Sequence, residues 1–246
     1  GSSYHESGVG FDDNLSSVDE EIGSRLDLKH SDMLWEYEHV VVLFVTFHLP
    51  PAKEHSTAAF ELIHRTIRRL EAHAQANGMR KVKTIGTTML CVIGISDGFS
   101  PAEMATRAVQ TALSMRSAVD ARMMERGWTI SVGLNSGPCF GAVIGERGLV
   151  FDVFGDTINT ASRMQTTATN GTVQLTAAMR ATLPMQCDGF DIVPRANVFV
   201  KGKGEMEAFC VAAASGGGDV APGASSRHPF GPLSTSLSTS ASEGGF

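Results

Sequence analysis

No run of 18 or more apolar residues occurs among the 246 residues of this chain. No segment therefore reads as a membrane-spanning helix, and the start lacks the charged-then-apolar pattern of a signal peptide. Cysteine is sparse: Cys91, Cys139, Cys187 and Cys210 stand alone, with no C-x-x-C pair. Neither a zinc site nor a disulfide framework is signalled, and a reducing cytosolic setting is the simplest inference. A long basic run is also missing, and 20 Lys and Arg against 26 Asp and Glu leave a formal charge of −6. General affinity for nucleic acid is thus disfavoured, although a local cluster could still bind a single nucleotide. What is present, 42% hydrophobic and 19% charged residues, fits one globular domain with appendages. A core of that size needs no covalent staples. The opening Gly1-Ser2-Ser3, without methionine, reads as a cloning remnant on an excised cytoplasmic domain, any membrane segments belonging to its parent.

Residues 1–38 mix Ser, Gly and acidic residues and are expected to be a flexible lead-in whose last turn docks on the domain. From 215 to 246 the chain is Ser/Gly-rich and too poor in apolar residues to offset ordering entropy, so a disordered tail is expected. Between them, Val40 to Phe47 is an apolar run of strand length. Phe60, Ile63, Ile67 and Leu70 recur at helical spacing before a stop at Asn77-Gly78. Strand-like Val82 to Ile85 and Met89 to Ile95 flank a hairpin-like break at Gly86-Thr87-Thr88. A second helix is expected from Pro101 to near Gly127, with Ala105, Ala108, Ala112, Met115 and Val119 inward. Ile130, Val132 and Leu134 alternate as a half-buried strand. Strand, helix, two strands, helix, strand is the ferredoxin-like βαββαβ order of an α+β sandwich, and further strands and helices follow.

Phe151 to Met164 reads FDVFGDTINTASRM, an apolar strand end, a turn and a helix. Asn159 and Arg163, four apart, share one helix face, while Ile158, Ala161 and Met164 form the packing face. An amide and a guanidinium aimed at one volume suit a sugar hydroxyl and a phosphoryl oxygen; taken alone, the pair fits a solvated surface helix equally well. Two further segments bear on that choice. Lys83-Thr84-Ile85-Gly86 ends a basic strand, and Lys201-Gly202-Lys203-Gly204 lies between two strand-like runs.

Taken in order with Asn135-Ser136-Gly137-Pro138 and Gly141 to Gly145, these segments resemble the class III nucleotidyl cyclase catalytic domain over about Val40 to Val211. The domain is accordingly set at 39–214. The resemblance implies that a ribose 3′-oxygen attacks an α-phosphorus and expels pyrophosphate, with two metal ions, Mg²⁺ or Mn²⁺, held by two aspartates. Thr46 and Thr87 occupy those two places here. A neutral hydroxyl cannot hold such a cation against water as a carboxylate does, and the nearby His48 favours softer metals. Loss of both aspartates with the rest retained resembles the second domain of two-domain, mammalian-type adenylyl cyclases, which supplies base and phosphate recognition while the first domain supplies the metals.

On that resemblance Lys83 and Asp152 read the base. A lysine donates to adenine N1 and an aspartate accepts from the exocyclic amine, whereas guanine presents the reverse arrangement, so ATP is favoured over GTP. Asn159 orients the ribose, Arg163 stabilises transition-state charge on the α-phosphoryl group, and Lys201 binds the outer phosphates, with Lys203 a weaker candidate. Asp156 is expected to cap the helix. The implied partner is a second cyclase domain carrying both aspartates; homodimerisation of the isolated chain is left open. A nucleotide-sensing or regulatory pseudo-cyclase is the alternative, and a diguanylate cyclase lacks its GG[DE]EF turn. Successive members of His55, His64 and His73 are nine residues apart and fall on opposite helix faces, so they read as solvated or packing residues. Arg65, Arg68 and Arg69 read as a solvated basic patch. Gly137, Pro138 and Gly141 to Gly145 are expected to be turn and close-packing positions at a dimer interface, because they do not form a phosphate-binding loop.

Overall fold

The apolar run at Val40 lies in β1 (Leu34–His48), in which Val40, Val41, Val42, Leu43, Val45 and Phe47 are wholly buried. Burial on both faces follows from a central position, antiparallel to β3 (Thr88–Ile93) on one side and to β4 (Thr129–Ile144) on the other. The computed structural model describes residues 34–50, 57–119, 123, 125, 127–145 and 149–213. His55, the expected tail and the expected lead-in as far as residue 33 lie outside these. Residues 34–38 already belong to β1, so the strand begins before the expected Val40.

The other strands are β2 (Arg80–Ile85), β5 (Val150–Phe154), β6 (Val173–Thr176), β7 (Phe190–Val200) and β8 (Gly204–Ala213). They form one eight-stranded sheet ordered β2-β3-β1-β4-β6-β8-β7, with β5 paired to β4 off this path. The segment β2-β3-β1-β4 is the ferredoxin-like arrangement expected of a βαββαβ chain. Helices α1 (Thr57–Ala76), α2 (Pro101–Ser117) and α4 (Ala177–Thr182) contribute to the larger core, against Val41, Leu43, Val45 and Phe47. Helix α3 (Asp156–Thr166) packs on the opposite face through Ile158 and Ala161, against Val40 and Val42.

Local chemistry accounts for much of this. Ser100 caps α2 in a capping box with Glu103, and Pro101 opens the helix. Gly78, at φ 81°, ends α1, with the Gly78 and Met79 amides returning to the Gln75 and Ala74 carbonyls. Two expectations are corrected. Helix α2 stops at Ser117, well short of Gly127. The buried stripe of α1 is Ala59, Thr66, Leu70 and Ala74, leaving Phe60 69% exposed. Leu70 enters the core with Ala59 and Ala74, and Leu62 and Ile63 pack against it, while Phe60 lies on the outward face.

Gly137, Pro138 and Gly141 to Ile144 also differ from expectation, since they lie within β4 and not in turns. Their glycines serve close packing. A Cβ at Gly141 would meet the Tyr37 and Phe151 rings at 2.8 and 2.9 Å, and one at Gly137 would meet Thr157 Oγ1 at 2.7 Å. The tightest approach is at Gly133, where a Cβ would stand 2.1 Å from the Gln165 amide nitrogen and 2.5 Å from the Ala161 carbonyl oxygen. Helix α3 thus rests directly on the β4 backbone.

Polar bonds cross the same contact. Gln165 Nε2 donates to Ser131 Oγ at 2.7 Å, and Ser131 Oγ lies 2.8 Å from His48 Nε2. Because Ser131 accepts from the amide, its own proton is available to a neutral His48 ring. Asn135 Nδ2 donates to the Thr157 carbonyl and Asn135 Oδ1 accepts from Thr176 Oγ1, tying α3 to β4 and β6.

Gly133→Ala is expected to destabilise the domain by about 1–3 kcal/mol through overpacking against backbone that cannot yield, as measured by urea denaturation; an unchanged midpoint would refute the contact. Burial lowers the pKa of His48 below its ordinary 6.5, and His73 is lowered as well, by burial and then by Arg69. The unfolded chain therefore binds these protons first as pH falls, so the stability held by the neutral rings is complete above about pH 6.5 and is lost toward the lower folded values. In thermal melts from about pH 7.5 to 5, His48→Gln should reduce the fall in Tm without abolishing it. A slope equal to that of the wild type would count against the His48 assignment.

Candidate active site

Strand β2 carries two lysines, Lys81 and Lys83, that strict alternation would place on one face. A register shift between them changes this: Lys81 pairs with Cys91 and Lys83 with Leu90. Cys91 belongs to the core under α1 and α2, and Leu90 to the core under α3. The bulge consequently sends Lys81 to Glu71 of α1 at 2.7 Å and frees Lys83 to reach β5. There Lys83 Nζ donates to Asp152 Oδ2 at 2.6 Å, while Asp152 Oδ1 accepts from the Val153 amide at 2.9 Å. The two residues expected to read a base are in direct contact, with the Asp152 side chain 19% exposed and that of Lys83 39% exposed.

A single residue, Gly155 at φ 122°, joins β5 to α3, so the short strand bearing Asp152 and the helix bearing Asn159 and Arg163 are delivered together. Gly155 is itself the N-cap, and no side chain caps the helix. The expectation that Asp156 does so is therefore corrected. As the first helical residue, Asp156 turns its carboxylate to the Lys203 ammonium and to Thr160 Oγ1, and its negative charge suits the positive end of the helix. Asn159 and Arg163 are half-buried, on the face away from the buried Ile158, Ala161 and Gln165.

The turn Lys201 to Lys203 connects β7 to β8, with the Lys203 amide bonded to the Val200 carbonyl. Through the Lys203–Asp156 pair this turn reaches the N-terminal end of α3, so the exposed Lys201 belongs to the same end of the molecule. Lys203, the weaker phosphate candidate in the sequence, is thus engaged with a carboxylate.

The two threonine positions also come together. The Phe47 amide donates to the Thr87 carbonyl at 3.1 Å, and Thr46 Oγ1 lies 2.8 Å from Thr88 Oγ1. The Thr46 hydroxyl is thus engaged with Thr88, and neutral hydroxyls at 46 and 87 make a poor donor set for a hard dication, which requires several oxygens and preferably carboxylates. No group of three or more His, Cys, Asp or Glu side chains suited to a metal occurs among the described residues. The residues present do not fit the metal pair that a cyclase reaction implies. The four thiols are unpaired and burial raises the pKa of each, Cys91 to about 12 and Cys139 to about 11, so none is an activated nucleophile.

Sequence reasoning did not single out Asn135 as a bridge, Gly133 as a contact point, or Gln174 and Arg195 at the far end of α3. An Asn or Gln in an otherwise apolar strand is the signal that was available for Asn135 and Gln174, because a buried amide requires partners.

The family model described as "Adenylate and Guanylate cyclase catalytic domain" matches residues 35–213. Among curated relatives, adenylate cyclase type 9 of Xenopus laevis is 33% identical over 139 residues, 53% of this chain and 10% of that protein. Soluble guanylate cyclase 89Db of Drosophila melanogaster is 38% identical over 129 residues, 52% of this chain and 18% of that protein. The chain therefore spans only a tenth to a fifth of the length of these relatives. The crystal structure of the guanylate cyclase domain of RhGC from Catenaria anguillulae, in complex with GTP, superposes with a TM-score of 0.65 at 28% identity, over 74% of this chain and 100% of that one. The match across nearly all of the described residues, together with this superposition, establishes that the chain belongs to the adenylate and guanylate cyclase catalytic domain family.

Proposed function

We propose that this chain is the base-recognition and transition-state half of an adenylyl cyclase, converting ATP to 3′,5′-cyclic AMP and pyrophosphate once a partner cyclase domain bearing both metal aspartates completes the site. The observation that carries this reading is the direct contact of Lys83 with Asp152 at 2.6 Å, on the α3 side of a sheet whose metal positions hold Thr46 and Thr87. A donor and an acceptor side by side match the N1 and exocyclic amine of adenine. The relatives include both adenylate and guanylate cyclases, so the purine preference rests on these two side chains.

Each proposed role follows from the chemistry of its residue. Asn159 holds the ribose through its amide. Arg163, one turn further along α3, donates to the α-phosphoryl oxygens as charge develops there, a preorganised contribution that grows toward the transition state. Lys201 holds the outer phosphates. Both metal-binding carboxylates, for Mg²⁺ or Mn²⁺, come from the partner domain, because Thr46 and Thr87 offer only neutral hydroxyls at the two positions. Alone, the chain is inactive or nearly so. The second reading, a regulatory pseudo-cyclase, is favoured by the absence of metal ligands at 46 and 87. It gives no reason for Lys83, Asp152, Asn159, Arg163 and Lys201 to be retained together.

Mixing this chain with a cyclase domain that keeps both aspartates is expected to yield cyclic AMP from ATP in Mg²⁺ or Mn²⁺. Arg163→Ala should then lower kcat by about 100-fold or more, the scale on which loss of a transition-state donor acts. Activity indifferent to that substitution would sink the shared site. In the same mixture, Lys83→Glu combined with Asp152→Cys should move the ratio of kcat/KM toward GTP, and an unchanged ratio would remove the base-reading assignment.

A further inference from the structure

Helix α3 ends without a glycine: its cap, Thr167, is right-handed at φ −93° and ψ −5°. The last carbonyls of a helix lack amide donors within it, and here side chains of the last turn and of β6 supply hydrogen bonds to the end of the helix. Arg163 O accepts from the Thr167 amide at 3.0 Å, from Thr167 Oγ1 at 2.7 Å and from Thr166 Oγ1 at 3.2 Å. Met164 O accepts from Gln174 Nε2 at 3.1 Å. The same Nε2 donates to Thr167 Oγ1 at 2.8 Å. Gln174, in β6, is wholly buried. Its remaining polar atom, Oε1, accepts from Arg195 Nη1, which also donates to the Thr167 carbonyl at 3.3 Å.

Arg195 lies in β7, just before a register shift between Arg195 and Val198 in the pairing with β8. A bulge of this kind re-aims a side chain, and here Arg195 crosses to the end of α3. A guanidinium at a helix C-terminus also complements the negative end of the dipole. Arg195, Gln174 and Thr167 therefore form one relay whose last acceptor is the backbone carbonyl of Arg163.

We infer that Arg195, acting through Gln174 and Thr167, is a positioning residue for Arg163: it fixes the backbone of the last turn of α3 and hence where the Arg163 guanidinium stands. This inference rests on the shared-site reading above. Arg195 touches no substrate in it, so its removal should act on the transition state through Arg163 while leaving base and ribose contacts intact. Displacement of a catalytic group by about 1 Å is enough to cost roughly 100-fold in rate.

The test combines activity with a readout that needs no turnover. With a metal-bearing cyclase domain, Arg195→Ala is expected to lower kcat about tenfold or more with KM for ATP nearly unchanged. Arg195→Lys keeps the charge and the fold, but its ammonium sits one bond nearer the backbone than Nη1 on a flexible stem and so cannot hold both acceptors where the rigid guanidinium does; it should keep the Tm near wild type and still lose most of the rate. In an Arg163→Ala background, Arg195→Ala should add little further loss. In the chain alone, amide exchange at Thr167 and Ala168 should quicken in Arg195→Ala while Ile158 and Asn159 stay protected. A wild-type mixture that makes no cyclic nucleotide overturns the shared-site reading. An active wild-type mixture in which Arg195→Lys is fully active, or in which the Arg195 and Arg163 losses multiply, overturns the positioning role. Unchanged exchange at Thr167 and Ala168 overturns the relay itself.

Discussion

The seating of α3 on the backbone of β4 is the contact on which the rest of the site depends. At Gly133 the helix backbone comes so near that a Cβ has no space, and the gap is closed by backbone packing on both sides. Interiors packed to this density transmit small displacements without absorbing them. Because Asn159 and Arg163 project from this helix and Asp152 lies in the short strand leading into it, the position of α3 bears on the geometry of three of the five proposed nucleotide-binding residues.

Buried polar groups hold the helix in that seat. Gln165 bonds to Ser131 and through it to His48; Asn135 bonds to the Thr157 carbonyl; Gln174 bonds to the Met164 carbonyl. Ser131, Asn135, Gln165 and Gln174 are all 5% exposed or less. Each such bond contributes only about 0.5–1.5 kcal/mol net, yet leaving either partner unsatisfied costs more. The network therefore specifies one orientation of α3 more strongly than it adds stability. Apolar packing through Ile158, Ala161 and Met164 supplies the remainder.

Charge is arranged in pairs around this frame. Lys83 meets Asp152, and Lys203 meets Asp156. Exposed ion pairs of the second kind contribute little to stability, so Lys203–Asp156 is better understood as a tether between the β7–β8 turn and the start of α3. Against these stand the neutral Thr46 and Thr87, in a family whose reaction depends on carboxylate-bound cations. Neutral side chains at both positions, with no cluster of metal-ligating side chains among the described residues, are the feature that the proposed division of the site between two domains accounts for.

Much of the architecture was legible in the sequence. The order βαββαβ, the start of α2 at Pro101 and the end of α1 at Asn77-Gly78 follow from periodicity and from the local chemistry of helix ends, which act over a few residues. The motifs around Lys83, Asp152, Asn159, Arg163 and Lys201 likewise carried the resemblance to the family whose model matches residues 35–213. Tertiary structure decided the rest. Lys83 and Asp152 are 69 positions apart and meet because a bulge in β2 re-aims one lysine and not its neighbour. Phe60 faces outward while Ala59, Thr66, Leu70 and Ala74 form the buried stripe, and Asp156 serves a lysine in a distant turn while Gly155 caps the helix. Strand register, bulges and the approach of helix to sheet are set by packing between segments far apart in the chain, so they have no signature in any short stretch of sequence.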